Sequence, residues 1–239
     1  VKLCNKLLTK LMMSSALMLT VGLSTVAHAV AVSPIIKTIA ANTANENFVM
    51  VRNTKQDEVE YIQMDLFKIL NPGEGQQELL EPELEKANPT IVFSPTRLVL
   101  QPGKERKVRL LPMKSVAHEE VFRLRVISAQ PPVDPSEVDS KTKAAASAIT
   151  MNIGYDILVR LLPVGKHVQQ VSVDCSAGHY KLQATGNVRS ELTNIVADGI
   201  KLDSFNIYPT RERALTQSKS ISFELDGETY NYQGCVLEQ

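Results

Sequence analysis

An all-β fold is predicted for this chain, and three observations predict it. Short apolar or alternating runs are separated by turn residues along its length, and no stretch beyond residue 29 sustains a helical period. The cleanest run places Ile149, Met151, Ile153 and Tyr155 on one face and Thr150, Asn152, Gly154 and Asp156 on the other, the period of a β-strand. A strand whose bulky face stays outward at a sheet edge is a template for pairing, which proteins suppress unless pairing is the function.

Residues 1–29 are expected to be a cleaved secretory signal peptide. Lys2, Lys6 and Lys10 form a basic start, Leu11 to Leu23 is mostly apolar, and Ala27-His28-Ala29 fits the small-x-small cleavage rule. The apolar run falls short of the roughly 20 residues a spanning helix needs, so no membrane insertion is expected. Cleavage would leave 210 of the 239 residues, enough for two β-domains of roughly 100 residues each. Losing three lysines turns 26 basic against 26 acidic residues into 23 against 26, which supplies no basic field for nucleic acid.

The first domain is predicted over 30–163. Its strands are Ala31 to Ile39, Asn47 to Arg52, Val59 to Ile69, Thr90 to Phe93, Arg97 to Leu100, Lys107 to Leu111, Glu120 to Ala129 and Ala148 to Leu162. Asn53 to Asp57, Asn71-Pro72-Gly73-Glu74-Gly75 and Gln101-Pro102-Gly103-Lys104 supply turns, because Asn, Pro and Gly adopt the backbone angles that turns demand. Seven or eight strands suit an immunoglobulin-like sandwich. Glu78 to Lys86 reads as a solvated acidic loop, and Gln130 to Ala146, with three prolines and several charges, as a long connection before the last strand.

Pro163 and Gly165 mark the boundary to a smaller β-sandwich over 164–239. Its predicted strands are Val168 to Cys175, Tyr180 to Thr185, Ile195 to Leu202, Ser220 to Leu225 and Tyr230 to Leu237, with Asp226-Gly227 as a hairpin turn. Cys175 and Cys235 are the two cysteines beyond the signal, and in an oxidising compartment they most simply form one disulfide.

Motifs for chemistry are missing. Pro102-Gly103-Lys104 has Leu98 where a phosphate-binding loop needs glycine, and Gly-x-Ser-x-Gly does not occur. His118, His167 and His179 are scattered and no C-x-x-C pair exists, so no metal site and no cofactor is expected. No catalytic residue stands out, and the chain is read as not an enzyme. The cations Lys104, Arg106, Lys107, Arg109, Arg123 and Arg125 could face an acidic partner; the plainer reading, preferred here, is the solvated face of two strands.

Several segments, in order, resemble the periplasmic chaperones of the chaperone-usher pathway, in particular the alternate branch serving class 5-like fimbriae. They are Val32-Ser33-Pro34-Ile35-Ile36-Lys37, Ile69-Leu70-Asn71-Pro72-Gly73, Pro95 through Leu100-Gln101-Pro102-Gly103 to Leu110, Glu119-Glu120-Val121-Phe122-Arg123, Asn152-Ile153-Gly154-Tyr155 with Leu158 to Pro163, Gly186-Asn187-Val188-Arg189 and Asn206-Ile207-Tyr208-Pro209. The resemblance implies two immunoglobulin-like domains in an L or boomerang, and donor-strand complementation of fimbrial subunits (pilins) in the periplasm before their delivery to an outer-membrane usher. Carried over, Ile149, Met151, Ile153 and Tyr155 would fill the pilin groove, while Arg160 and Lys37 would anchor the pilin's C-terminal carboxylate. An exposed strand of this kind also permits self-association of free molecules.

A different reading makes the chain a fimbrial subunit or adhesin. Such a protein should carry an apolar alternating extension directly after the signal. Val30 to Ile39 is short and holds Pro34, so the chaperone reading fits better.

Overall fold

The computed structural model describes residues 30–40, 46–74, 77–129, 154–176, 179–215 and 218–238. The expected signal peptide and the 130–146 connection lie outside them. The described residues contain no α-helix. Ten strands build the first domain: β1 (Val30–Ser33), β2 (Ile36–Ile39), β3 (Phe48–Asn53), β4 (Glu60–Ile69), β5 (Leu80–Pro82), β6 (Ile91–Ser94), β7 (Arg97–Leu100), β8 (Glu105–Pro112), β9 (Glu120–Ala129) and β10 (Gly154–Leu161). The second domain holds β11 (Val171–Ser176), β12 (His179–Ala184), β13 (Ser190–Ala197), β14 (Ile200–Lys201), β15 (Phe205–Ile207), β16 (Glu212–Leu215), β17 (Ser220–Leu225), β18 (Glu228–Gln233) and β19 (Val236–Glu238).

Alternation decides the layers of the first domain. One sheet runs β1-β3-β8-β6, the other β2-β10-β9-β4 with β5 and β7 both on the far edge of β4. Val49, Val51, Val108 and Leu110 face inward from the first sheet; Ile62, Met64, Leu66, Phe122, Leu124, Ile157 and Val159 meet them from the second. At roughly 1.5–3 kcal/mol for each large side chain removed from water, this core is what orders the domain.

The single strand predicted over Ala31 to Ile39 is two strands in two sheets. Pro34 cannot donate to a ladder, and the chain changes sheets there: β1 pairs antiparallel with β3, whereas β2 runs parallel to β10.

Glu78 to Lys86 is not the solvated loop that its charge suggests. Leu80–Pro82 pairs with β4, and the Glu83 carboxylate is fully buried, accepting the Thr90 N–H and pairing with Lys86 at 2.7 Å. Burial pushes the Glu83 carboxyl up, but the hydrogen bonds from Lys86 and from the Thr90 and Ile91 backbone outweigh it and hold it below the usual carboxylate range. A carboxyl with a lowered folded pKa contributes stability that is fully present above its unfolded value and is lost as pH falls through the folded one. Glu83→Gln is therefore expected to destabilise by about 1–3 kcal/mol at pH 7, with the gap to wild type closing in acid. Urea unfolding across the acid range checks this; a gap that stays constant or widens would refute it.

The second domain packs β11-β12-β16 against β14-β13-β17-β18-β19, with β15 also on β13. The strand expected over Ile195 to Leu202 is Ser190–Ala197. Ser190 and Leu192 are buried, then Ile195 and Ala197, so the inward phase shifts by one residue. A register shift between Thr193 and Val196, with Asn194 at φ 49°, causes it, and such a bulge hides a strand from a period-2 reading. Cys175 and Cys235 form the expected disulfide, with Cα atoms 5.3 Å apart.

Candidate functional site

β10 carries the described end of the alternating run that stands out in the sequence. It pairs with β9 along all of Gly154–Leu161, whereas its parallel pairing with β2 covers only Leu158–Leu161. The described start of β10 therefore outruns its β2 neighbour by four residues. Ile157, Val159 and Leu161 are buried in the core, and Tyr155 packs against it, half-buried. Ile149, Met151 and Ile153 lie outside the described residues; in sequence they keep the same odd-numbered phase as these core positions.

The other face of β10 turns to the second domain. Asp156 takes Arg125 of β9 at 3.1 Å, and Leu158 joins Ile69, Leu80, Val121 and Tyr208 in a separate apolar cluster. Tyr208 belongs to the second domain, so this cluster is the apolar part of the junction. Burial, and then the nearby Glu119 charge, push the Tyr208 hydroxyl above its ordinary range.

Arg160 is already holding a carboxylate. Its Nε donates to Glu119 Oε1 at 2.6 Å and its Nη2 to Oε2 at 3.1 Å, a two-pronged arrangement suited to the guanidinium fork. Glu119 Oε2 also accepts the Arg189 backbone N–H at 2.8 Å, and the Glu119 N–H donates to the Asn187 carbonyl at 2.8 Å. The Glu119 side chain is 0% exposed and that of Arg160 14%. One carboxylate thus ties the end of β10 to the turn before β13 in the other domain.

Lys37 is not beside Arg160. In the parallel register Lys37 aligns with Val159, and Arg160 with Thr38. Aligned residues share a face, so the two cations leave opposite faces of the sheet. Lys37 lies over the Phe48 ring, 6.0 Å from its centroid.

Sequence reasoning names the segments of this junction without seeing that they meet. Glu119, Arg189, Tyr208 and Gly73 all sit in the short motifs that carry the resemblance. Gly73 (φ 80°) lies so near Tyr208 and the Asn206 carbonyl that an added Cβ would come within 2.9 Å of both. Arg211 completes the contact, bonding Glu74 at 3.0 Å and the Leu70 carbonyl. A cavity of about 340 Å³ opens between the domains, lined by Ile69, Leu70 and Val121 as well as His118, Glu119 and Arg211.

No protein-family model matches the chain. It is 30% identical over 138 residues to a CS1 fimbrial subunit of Escherichia coli, covering 57% of this chain and 56% of that protein, so the match spans little more than half of the relative. It is 26% identical over 214 residues to a CFA/I fimbrial subunit of Escherichia coli, covering 84% and 86%. Among solved structures, a chain of the chaperone-tip adhesin complex of CFA/I fimbriae superposes with a TM-score of 0.67 at 21% identity, over 86% of this chain and 98% of that one. The class 5 fimbriae chaperone CfaA gives 0.64 at 23% identity, over 85% and 98%. The periplasmic chaperone SfaE gives 0.52 at 14% identity, over 87% and 100%. This chain has the two-domain β-sandwich fold of the fimbrial chaperones.

Proposed function

We propose that this protein is a non-enzymatic periplasmic chaperone that captures fimbrial subunits by donor-strand complementation and passes them to an outer-membrane usher. The observation that carries the reading is β10, which is fixed by β9 on one side yet runs four residues past β2 on the other. A strand placed in this way can add to an incomplete sandwich, its backbone extending the client's ladder and its odd-numbered side chains entering the client's groove. The core-facing row of the chaperone and the groove-filling row of the donor are then one continuous row. Four large apolar side chains, Ile149, Met151, Ile153 and Tyr155, would contribute on the order of 6–12 kcal/mol gross before ordering costs.

The resemblance gives the client's carboxylate two cations, but these leave opposite faces of the sheet and their settings differ. Lys37 has no ion pair among the described residues, whereas Arg160 would have to exchange Glu119 for the client. We assign Lys37 the direct contact, and Arg160 the work of holding β10 at the junction until such an exchange. The fimbrial-subunit reading is weaker, because the first domain already closes its own core with β10.

The test is a periplasmic pull-down from the native host with tagged mature protein. Wild type should recover a small, aggregation-prone pilin in roughly equal amounts. Ile153→Asp should abolish recovery, since one charge in an apolar groove costs several kcal/mol. Lys37→Ala should lower it with the fold intact. If Arg160 works through the junction, Glu119→Ala should lower recovery as much as Arg160→Ala; a loss confined to Arg160→Ala would make Arg160 the direct anchor. No pilin with wild type would remove the chaperone reading.

A further inference from the structure

The two sheets of the first domain differ in how their outward cations are used. On the six-stranded sheet and its turns, Lys68, Arg123, Arg125 and Arg160 have acidic partners in Glu120, Glu78, Asp156 and Glu119, while Arg97 on the edge strand β7 takes part in no ion pair among the described residues. On the four-stranded sheet, Lys107 and Arg109 of β8 point outward between the buried Val108 and Leu110, and both are exposed. Neither they nor Lys37 takes part in an ion pair among the described residues.

The β3 neighbours of Lys107 and Arg109 are apolar, and the acid on their face, Glu105, lies at its end opposite Arg52. Across the ladder Phe48 stands opposite Arg109 and Met50 opposite Lys107, so all four share the outer face. Lys107 lies 4.4 Å from the Phe48 ring centroid and Lys37 6.0 Å from it, so both ammonium groups are within reach of the one ring. Leu111, 43% exposed, continues the face along β8. Glu105 is the one acidic side chain on β3 and β8, set against Arg52, Lys107 and Arg109 on this face, where solvation alone would mix the two signs more evenly.

We infer that the outer face of the four-stranded sheet, centred on Phe48, Lys107 and Arg109, docks a carboxylate-rich segment of a partner protein. Charge complementarity requires an acidic partner, and the mixture of Arg, Met and an aromatic ring on a flat surface is the composition of a protein interface. A bare anionic surface would use the cations and leave Phe48 and Met50 without a role. This face is on the opposite side of the domain from the Arg160 junction and is distinct from β10; it borders the proposed pilin anchor at Lys37, which lies over the Phe48 ring.

The probe is a fluorescein-labelled deca-glutamate peptide, titrated into the mature protein at several salt concentrations. Binding should weaken as salt rises. Lys107→Glu/Arg109→Glu should weaken it by about tenfold or more, while Lys166→Glu/Lys201→Glu, the same charge change on exposed sites of the second domain, should leave it within about twofold. Phe48→Leu, which keeps apolar bulk but removes the ring beneath the lysines, should cost about threefold. Equal losses in the two double variants would overturn the inference. So would the failure of wild type to bind the peptide, or binding to phosphatidylglycerol vesicles in its place. Ile153→Asp, which should abolish pilin recovery, should leave peptide binding within about twofold, which separates failure here from failure of the capture reading.

Discussion

Glu119→Ala is expected to destabilise the protein by about 3–5 kcal/mol and to loosen the two domains from each other. The carboxylate is wholly buried and serves two donors, the Arg160 guanidinium and the Arg189 backbone N–H. Removing it leaves a largely buried cation and a backbone donor without their acceptor, and that penalty exceeds what the pair itself contributes. The effect should fall toward the lower end, because Arg160 keeps 14% exposure and can draw in water. Replacing both partners, as Glu119→Leu/Arg160→Leu, removes the uncompensated charge and should recover much of the loss. Urea unfolding measures the energies, and small-angle scattering measures the separation of the domains. A Glu119→Ala protein as stable and as closed as wild type would refute the strut.

Legibility from sequence tracks locality. The strands of the first domain can be read because β3, β4, β8 and β9 alternate over most of their length, with Ile69 and Val121 alone buried on the other face, toward the junction. Failures come where one residue changes the phase or the sheet. Pro34 moves the first strand between sheets, and the bulge at Asn194 moves the inward face of β13 from even to odd positions. β15 and β16, of three and four residues, are too short to show a period at all.

The candidate site is legible in its residues and not in its geometry. Alternation through Tyr155 marks an odd-numbered row whose described members face the core of the first domain, but one sequence cannot show that β2 stops short of the start of β10. Arg160 reads in the sequence as a cation awaiting a carboxylate, and the carboxylate it meets in the chain itself is 41 residues away. Lys37 and Arg160 look paired by motif, yet the parallel register puts them on opposite faces, a fact set by strand pairing alone. Sequence proximity groups the cations Lys107 and Arg109 with Arg123 and Arg125, although the first pair faces outward from one sheet and the second pair is neutralised on the other.

Cys175→Ser/Cys235→Ser is expected to cost about 4 kcal/mol, the loop-closure entropy of a bridge spanning 60 residues. The loss should concentrate in the second domain. The bridge joins β11 of the three-stranded sheet to the turn between β18 and β19 of the other sheet, so it links both layers. Tyr180, 1% exposed, sits at that link: its hydroxyl donates to the Lys219 carbonyl at 3.1 Å and accepts the Cys235 N–H at 3.3 Å. Without the bridge these bonds must hold the layers alone. The first domain has its own core and no cysteine among its residues 30–163, so two unfolding steps should replace one, with the second domain opening first. Because Tyr208 and Arg189 come from the second domain, its opening would also withdraw the partners of Leu158 and Glu119. Hydrogen exchange should then show amides of β17 exposed early while those of Ile157 and Val159 in β10 remain protected by β9. Simultaneous exposure of both would mean that the domains fold as one unit, and would place the hold on β10 in the junction and not in its own sheet.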